Sequence, residues 1–412
     1  MKRVLMVAFH FPPAAMGSGH LRTLGFVRYL PHHGWEPIVL TARSVAYSRV
    51  QAANSKLVPE GCRVHRALAL DVQRHLSIRG KYPGFLAQPD RWSTWWLAAV
   101  WQGLRLIRRH DIGAIWSTYP IMSAHCIAHT LSRRTGLPWI ADFRDPVASS
   151  VEAGNKFSVA SQNRLEQRVV GRASRVVLTT PGAMSGYADR YPEAFQGHRL
   201  SVIPNGYDES AFAGIAADRP LGPGRPLRFV HSGILYPDGR DPLPFLTALA
   251  NLKAAGILSD SGVQIVLRAS GSEAVYEGEI KRLSLQGMVT LAPPVPNDAA
   301  LREQADADAL LLFQGQRYDR QIPAKVYEYL RIGRPIFALV GEHGDTANLL
   351  RESGGAKLVP LDDTDAIEHG LSEFILSLHN GNPPKASEQL VASYSRFCGA
   401  ALLARLLDDV VS

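Results

Sequence analysis

Short apolar runs alternate with amphipathic stretches along this chain. Val4–Phe9, Pro37–Thr41, Ile112–Trp116, Trp139–Phe143, Val176–Thr179 and Leu200–Ile203 have strand length and are dominated by apolar residues. Continuous apolar runs of this kind mark strands buried on both faces of a parallel sheet. Between them apolar residues recur at helical spacing, as at Leu21, Leu24, Val27 and Leu30, and again around Ile121–Arg134. A second series repeats the pattern with Leu227–His231, Val263–Leu267, Val289–Leu291, Ala309–Phe313 and Ile336–Val340. Strands alternating with helices predict the α/β class and parallel sheets. A length of 412 residues allows two or three such domains. The polar, Pro/Gly-rich stretch Asp218–Pro226 reads as a linker. The expected organisation is a first domain over 1–212, a linker over 213–226, a second domain over 227–390, and an apolar-striped helix within 391–412.

Composition adds a soluble globular character, with 46% hydrophobic and 20% charged residues. Charge distribution changes the picture more. The net charge is +8, but residues 1–212 hold 26 Lys and Arg against 13 Asp and Glu, while the remainder holds 19 against 24. A basic half beside a mildly acidic one suggests a first domain facing something anionic. Three cysteines in no ligand spacing give neither a disulfide framework nor a zinc site, and a reducing cytoplasmic setting is the expectation. The opening MKRVLMVAFHFPP mimics a signal peptide, yet its apolar run ends at His10 and reads as a first strand. No run reaches the length of a membrane span. Trp92, Trp95, Trp96 and Trp101 precede Arg105, Arg108 and Arg109, which fits either a membrane-interface helix or tryptophans packed in a core.

The candidate chemistry lies at strand ends, where open parallel sheets bind ligands. After the first strand, Gly17-Ser18-Gly19 offers a phosphate cradle ahead of a helix. Arg22 occupies the third glycine's place of a dinucleotide fingerprint, and no acid follows Thr41 to hold a ribose, so a dehydrogenase is disfavoured. His125 and His129 stand four apart on a helix without a third metal ligand, which leaves His125 as a cleft candidate. Asp142-Phe143-Arg144-Asp145-Pro146 brings two carboxylates and a guanidinium to a strand end, suited to sugar hydroxyls or phosphate, or to a structural clamp. Asp306-Ala307-Asp308 spells a metal-binding triplet but directly precedes a buried strand, and reads as a helix–strand junction. In the second half, the loop Ser232–Asp241 leads to a helix with Asp241 as N-cap and Pro242 at its first position. Beyond Phe313, the stretch Arg317–Pro335 predicts a loop, then a helix from Pro323 to Gly333 carrying Lys325 and Glu328 on one face. An ammonium at a helix start suits phosphate, and a carboxylate one turn on suits a ribose diol.

Taken in order, the glycine loop, DFRDP, IPNGYD, the HSG loop and PAKVYEYLRIGRP resemble the family-4 glycosyltransferases. The resemblance implies the GT-B fold, two Rossmann-like doubly wound domains facing across a cleft, with the last helix crossing back to the first. It implies donor contacts from Gly17, Gly19, Gly233, Arg240, Lys325 and Glu328, with Glu328 on the nucleotide ribose. Arg144, Asp145 and His125 become candidates lining the cleft. Two departures stand out: Arg320 replaces the first glutamate of the family's paired motif, and Arg144 stands about where many relatives carry a histidine. The implied activity is retaining transfer from a nucleotide-diphosphate sugar to a saccharide or lipid-linked acceptor, in surface polysaccharide or glycoconjugate synthesis. No metal, no other cofactor, no obligatory protein base and no nucleic acid are expected. Peripheral contact with an anionic membrane at the cytoplasmic face would suit a lipid-linked acceptor. A sugar-nucleotide 2-epimerase of the same fold and a non-catalytic nucleotide-binding partner remain as alternatives.

Overall fold

The structure is a computed structural model describing residues 1–15, 17–144, 146–147, 156–215 and 225–412. The described chain packs as two units, one formed by Met1–Asn205 with Arg396–Ser412, the other by Gly206–Ser395. The first unit contains seven strands: β1 (Lys2–Val7), β2 (Trp35–Ala42), β3 (Arg63–Ala67), β4 (Ala114–Thr118), β5 (Trp139–Arg144), β6 (Arg175–Leu178) and β7 (Leu200–Val202). The second contains β8 (Leu227–Ser232), β9 (Val263–Arg268), β10 (Val289–Ala292), β11 (Ala309–Gln314), β12 (Ile336–Val340) and β13 (Ala356–Val359). All pairings are parallel, in the orders β3-β2-β1-β4-β5-β6-β7 and β10-β9-β8-β11-β12-β13. Each order reverses once, between β1 and β4 and between β8 and β11. Both sheets are thus doubly wound and Rossmann-like, with a crevice expected outside the carboxyl ends at each reversal.

Alternation along the central strands explains the layers. Leu5 and Val7 face one core of the first unit while Val4 and Met6 face the other. Phe229 and Val230, and Leu311 and Leu312, divide the second unit in the same way. Successive side chains of a strand point to opposite faces, so a strand covered on both must be apolar throughout. The helix Arg396–Val411 adds Ala400, Leu403, Ala404 and Leu407 to one face of the first unit. Its approach is close: a Cβ on Gly25 would lie 2.7 Å from the Arg396 side chain.

Several boundaries differ from expectation. Residues 206–212, expected in the first domain, belong to the second unit, where Tyr207 and Phe212 pack in the core beside Val230 and Leu310. The expected terminal helix is Arg396–Val411, and a separate short helix, Glu388–Ser393, precedes it. The glycine segment is a 3-10 turn, Gly17–His20, running directly into the helix Leu21–Tyr29. Helix Ala324–Ile332 takes Pro323 as its N-cap, and helix Leu243–Ala254 takes Pro242. Asp241 still satisfies a helix-start donor, accepting from the Leu243 amide at 3.1 Å.

One buried ion pair ties the first unit's carboxyl edge together. Arg22 donates from Nε to Asp142 at 2.8 Å and from its other nitrogens to the carbonyls of Ile203 and Pro204, at 3.0 and 2.9 Å. Both partners are buried, so neither can be removed alone without leaving an uncompensated charge. Arg22→Met is expected to destabilise this unit by about 3–5 kcal/mol. All seven tryptophans lie between Trp35 and Trp139, so urea unfolding followed by tryptophan fluorescence reads that unit. A midpoint within error of the unmodified chain would contradict the clamp's role.

Candidate functional site

The second unit's crevice begins where β8 and β11 part. Their registered pairs end at Val230 and Leu310. Beyond that point the imidazole of His231, fully buried, bridges the gap, with Nδ1 2.9 Å from the Leu311 carbonyl and Nε2 3.1 Å from the Gly233 carbonyl. Lys325 Nζ lies 3.4 Å from Nε2. Burial and the neighbouring Lys325 cation hold His231 well below its ordinary pKa, so the ring is neutral and carries one N–H. With the ammonium donating to Nε2, that N–H sits on Nδ1 and donates to Leu311. The β8 loop is fixed from the helix as well, because the Ser232 amide donates to the hydroxyl of buried Tyr329 at 3.2 Å.

Gly233 is at φ +127°, a conformation side chains rarely adopt, and a Cβ there would lie 2.6 Å from Lys325 Nζ. The ammonium therefore rests against bare backbone. Burial, then the Arg240 cation, lower the Lys325 pKa from 10.5 to about 7, opposed by the carboxylate of Glu328. Arg240 is held by aromatic faces. Its guanidinium lies 5.3 Å from the ring centre of Tyr236 and 5.3 Å from that of Tyr318. The loop bearing Arg240 and the loop after β11 are joined by the Gly315 amide donating to the Gly239 carbonyl at 2.8 Å, and by the Arg317–Asp238 ion pair. The result is a small basic niche at a strand-order reversal: two cations, a neutral imidazole, and Glu328 near enough to Lys325 to influence its charge. It is suited to an anion with two or more phosphoryl oxygens, flanked by a carboxylate for hydroxyls.

This brings Gly233, Arg240, Lys325 and Glu328 into one neighbourhood, and adds His231, Tyr236, Tyr318 and Tyr329. The tyrosines carry no motif of their own. Their signal was the pairing of Tyr236 with Arg240 and of Tyr318 with Arg317 on facing loops.

The first unit's candidates fare differently. His125 does not face a cleft. It is fully buried on helix Met122–Thr135, its ring tilted against that of Phe143 with centres 4.7 Å apart. Trp139 donates to Ser117 Oγ at 2.8 Å, and that hydroxyl is hydrogen-bonded to His125 Nδ1 at 2.7 Å. Burial lowers the His125 pKa to about 3, so it is a neutral core residue. Asp142 is taken by Arg22 and is no ligand group. Asp145 lies outside the described residues. Arg144 adopts φ +61° and donates to the Gly19 carbonyl at 2.9 Å, so the Gly17–Gly19 segment and the β5 end are bound together. His10, after β1, joins them electrostatically: burial first, then Arg144, His20 and Arg91, lower its pKa to about 4. Asp308 is buried and bidentate to Arg225, at 2.6 Å to each oxygen, and accepts the Arg228 amide. Among the described residues no group of three or more His, Cys, Asp or Glu is placed to hold a metal ion.

The lowered Lys325 pKa sets a pH dependence. Between pH 7 and 10.5 the unfolded chain keeps a proton at Lys325 that the folded chain has lost. Stability therefore rises with pH across that window, and the full cost of burying the ammonium is present below it. Lys325→Met is expected to remove this contribution, read as a difference in urea unfolding followed by circular dichroism across the window. Equal pH slopes for the two proteins would contradict the burial of Lys325.

A family model described as "Glycosyl transferase 4-like domain" matches residues 18–206. No curated protein matches the sequence. Among solved structures, a sucrose-phosphate synthase from Thermosynechococcus elongatus is similar at 15% identity, with a TM-score of 0.64 over 99% of both chains. Anabaena Alr3699/HepE in complex with UDP and glucose is similar at 16% identity and TM-score 0.63, over 99% of this chain and 100% of that one. The apo form of the lipopolysaccharide outer core galactosyltransferase WaaB gives 11% identity and TM-score 0.63, over 98% and 99%. At these identities the structural likeness speaks for the fold alone, and the family match is confined to residues 18–206. Residues 18–206 thus match a glycosyl transferase 4-like domain, and the chain has the fold of these glycosyltransferase structures, GT-B.

Proposed function

We propose that this chain is a retaining, metal-independent glycosyltransferase that moves a sugar from a nucleoside diphosphate sugar to a saccharide or lipid-linked acceptor. The observation that carries the reading is the Lys325–Gly233–Arg240 niche at the β8/β11 reversal. Departure of a nucleoside diphosphate leaves negative charge on its terminal phosphate. Cations already aimed at that position stabilise the transition state more than the ground state, which is how electrostatics lowers a barrier. Lys325 and Arg240 supply the positive charge that other transferases take from a divalent ion. A diphosphate against Lys325 also restores its proton, since a nearby anion favours the charged form. Glu328, one helical turn on, accepts hydrogen bonds from the ribose. The solved structures of HepE with UDP, with UDP and glucose, and with UDP-glucose support a nucleotide sugar as the donor class. The acceptor falls to the first unit, whose carboxyl edge gathers His10, His20, Arg91 and Arg144.

Lys325→Ala and Glu328→Ala are each expected to weaken nucleoside diphosphate binding by roughly ten- to a hundredfold, the loss of one charged hydrogen bond of about 1.5–3 kcal/mol. Calorimetric titration reads this, and unchanged affinity in both variants would remove the assignment. For the reaction, α-configured UDP- and GDP-hexoses are incubated with sugar and lipid-linked acceptors in the presence of EDTA. An α-linked product, identified by NMR, is expected. A β-linked product excludes retention, and an epimerised donor without transfer makes the chain an epimerase. Activity lost in EDTA and restored by manganese contradicts the role given to the two cations.

A further inference from the structure

Between β2 and β4 the first unit carries its edge strand and an excursion that no contact with the proposed donor niche explains. From Arg43 to His110 there are twelve Lys and Arg against three acids. Two of those acids serve the fold. Asp71 is buried and caps the Gln73 amide, while Asp90 accepts from the Ser123 amide and hydroxyl at 2.7 and 2.9 Å. Glu60 is the one exposed acid of the stretch, against exposed Arg74, Arg79, Lys81, Arg105, Arg108 and Arg109.

The same stretch holds the most exposed large apolar side chains of the described residues, Met1 apart: Ile78 at 80%, Phe85 at 75%, Leu97 at 72% and Trp101 at 62%. Ile78 stands at the base of a two-residue turn, Arg79-Gly80, closed by its reciprocal hydrogen bonds with Lys81 at 2.8 and 3.0 Å. Phe85 lies in the turn Gly84–Ala87. The excursion is tied to the residues leading into helix Trp95–His110: the Val72 amide donates to the Arg91 carbonyl and the Leu70 amide to Thr94 Oγ1, both at 2.9 Å, and Ser93 donates to Leu86. On the helix, Leu97, Trp101, Arg105 and Arg109 follow at four-residue spacing and share one face. Arg105 lies over the Trp101 ring at 4.6 Å. The opposite face is core, with Trp95, Ala99, Gly103 and Leu106 buried. Beside the exposed stripe runs a groove of about 570 Å³, lined by Arg43, Arg66, Trp101, Arg105 and Arg109 among others and by no carboxylate.

The geometry points to a docking surface for an anionic lipid leaflet. Ile78, Phe85, Leu97 and Trp101 enter the boundary between headgroups and acyl chains, and the arginines of the stripe and groove take the headgroup phosphates. Apolar tips rimmed by cations match a leaflet, whose phosphates lie directly above hydrocarbon. A nucleic acid would use the cations but gains nothing from an isoleucine and a leucine held out in water. The tryptophans first considered for this role divide. Trp95 is fully buried, Trp92 donates to the Ala46 carbonyl and Trp96 to Thr130, so Trp101 alone of the four is free to insert. Among the described residues no helix is long and apolar enough to cross a membrane, and attachment is by this surface. The inference is independent of the donor niche, so either can fail without the other.

The test is co-sedimentation of the full chain with vesicles of phosphatidylcholine alone or mixed with phosphatidylglycerol, at low and high salt. Binding at least about tenfold stronger to the anionic vesicles, weakening with salt, is expected. Brominated acyl chains should quench tryptophan fluorescence, and Trp101→Phe should abolish the quenching. The combined variant Ile78→Asp, Phe85→Asp and Leu97→Asp should lose about tenfold in binding, with unchanged circular dichroism and thermal unfolding. Arg105→Gln with Arg109→Gln should lose the preference for anionic vesicles. Equal binding to both vesicle types, binding to neither, or quenching that survives Trp101→Phe overturns the proposal. Retention on heparin without vesicle binding assigns the surface to a soluble polyanion and overturns it too.

Discussion

A lysine ammonium packed against a neutral imidazole, a bare glycine and a second cation is unfavourable by itself. Desolvation and the Arg240 charge both act against its proton, and Glu328 compensates only in part. Such an arrangement survives because the surroundings leave Lys325 no better place. His231 donates to the Leu311 carbonyl and accepts from Lys325, Tyr329 pins the β8 loop to the helix, and paired tyrosine faces hold Arg240. Stored electrostatic disadvantage of this kind marks functional sites, since an incoming anion relieves it. The side chains are placed before any ligand arrives, and an incoming diphosphate restores the proton of Lys325, so little reorganisation remains for the reaction step.

The two units use the same sheet order to opposite ends. In the first, charge at the carboxyl edge is largely consumed by the fold: Arg22 saturates Asp142, and Arg144 reaches the Gly19 carbonyl. Burying an ion pair is weak support for stability but strong support for a fixed geometry of the partners. In the second unit the corresponding reversal leaves Lys325 and Arg240 near each other, with the Glu328 carboxylate opposing only part of their repulsion. That contrast supports the proposal that the second unit, rather than the first, binds the phosphates.

Much of the fold was legible because strands covered on both faces must be apolar throughout, as at Leu5–Val7, Leu310–Phe313 and Phe337–Val340. Two of the four edge strands were not legible. Arg63–Ala67 and Ala356–Val359 expose or half-expose most of their residues, so neither hydrophobic runs nor clean alternation betrays them. Within the site, Lys325 and Glu328 could be placed from helical spacing alone, whereas the tyrosine cage on Arg240 depends on two loops far apart in sequence. His125 misled for a related reason. Spacing on a helix says which residues share a face, but whether that face meets solvent or Phe143 is decided by packing. Asp308 shows the same limit from the other side: its apparent metal triplet is explained by an arginine at position 225.

The central claim is that the β8/β11 reversal binds a nucleoside diphosphate through Lys325 and Arg240. Thermal unfolding of the unmodified chain with UDP, GDP, ADP and CMP tests it most directly. A ligand at a hundred times its Kd adds about 2.7 kcal/mol of apparent stability. The account predicts that at least one nucleoside diphosphate raises the transition clearly, and that CMP, with a single phosphate to span two cations, does so less. No shift with any diphosphate at millimolar concentration, or an equal shift with CMP, would contradict it.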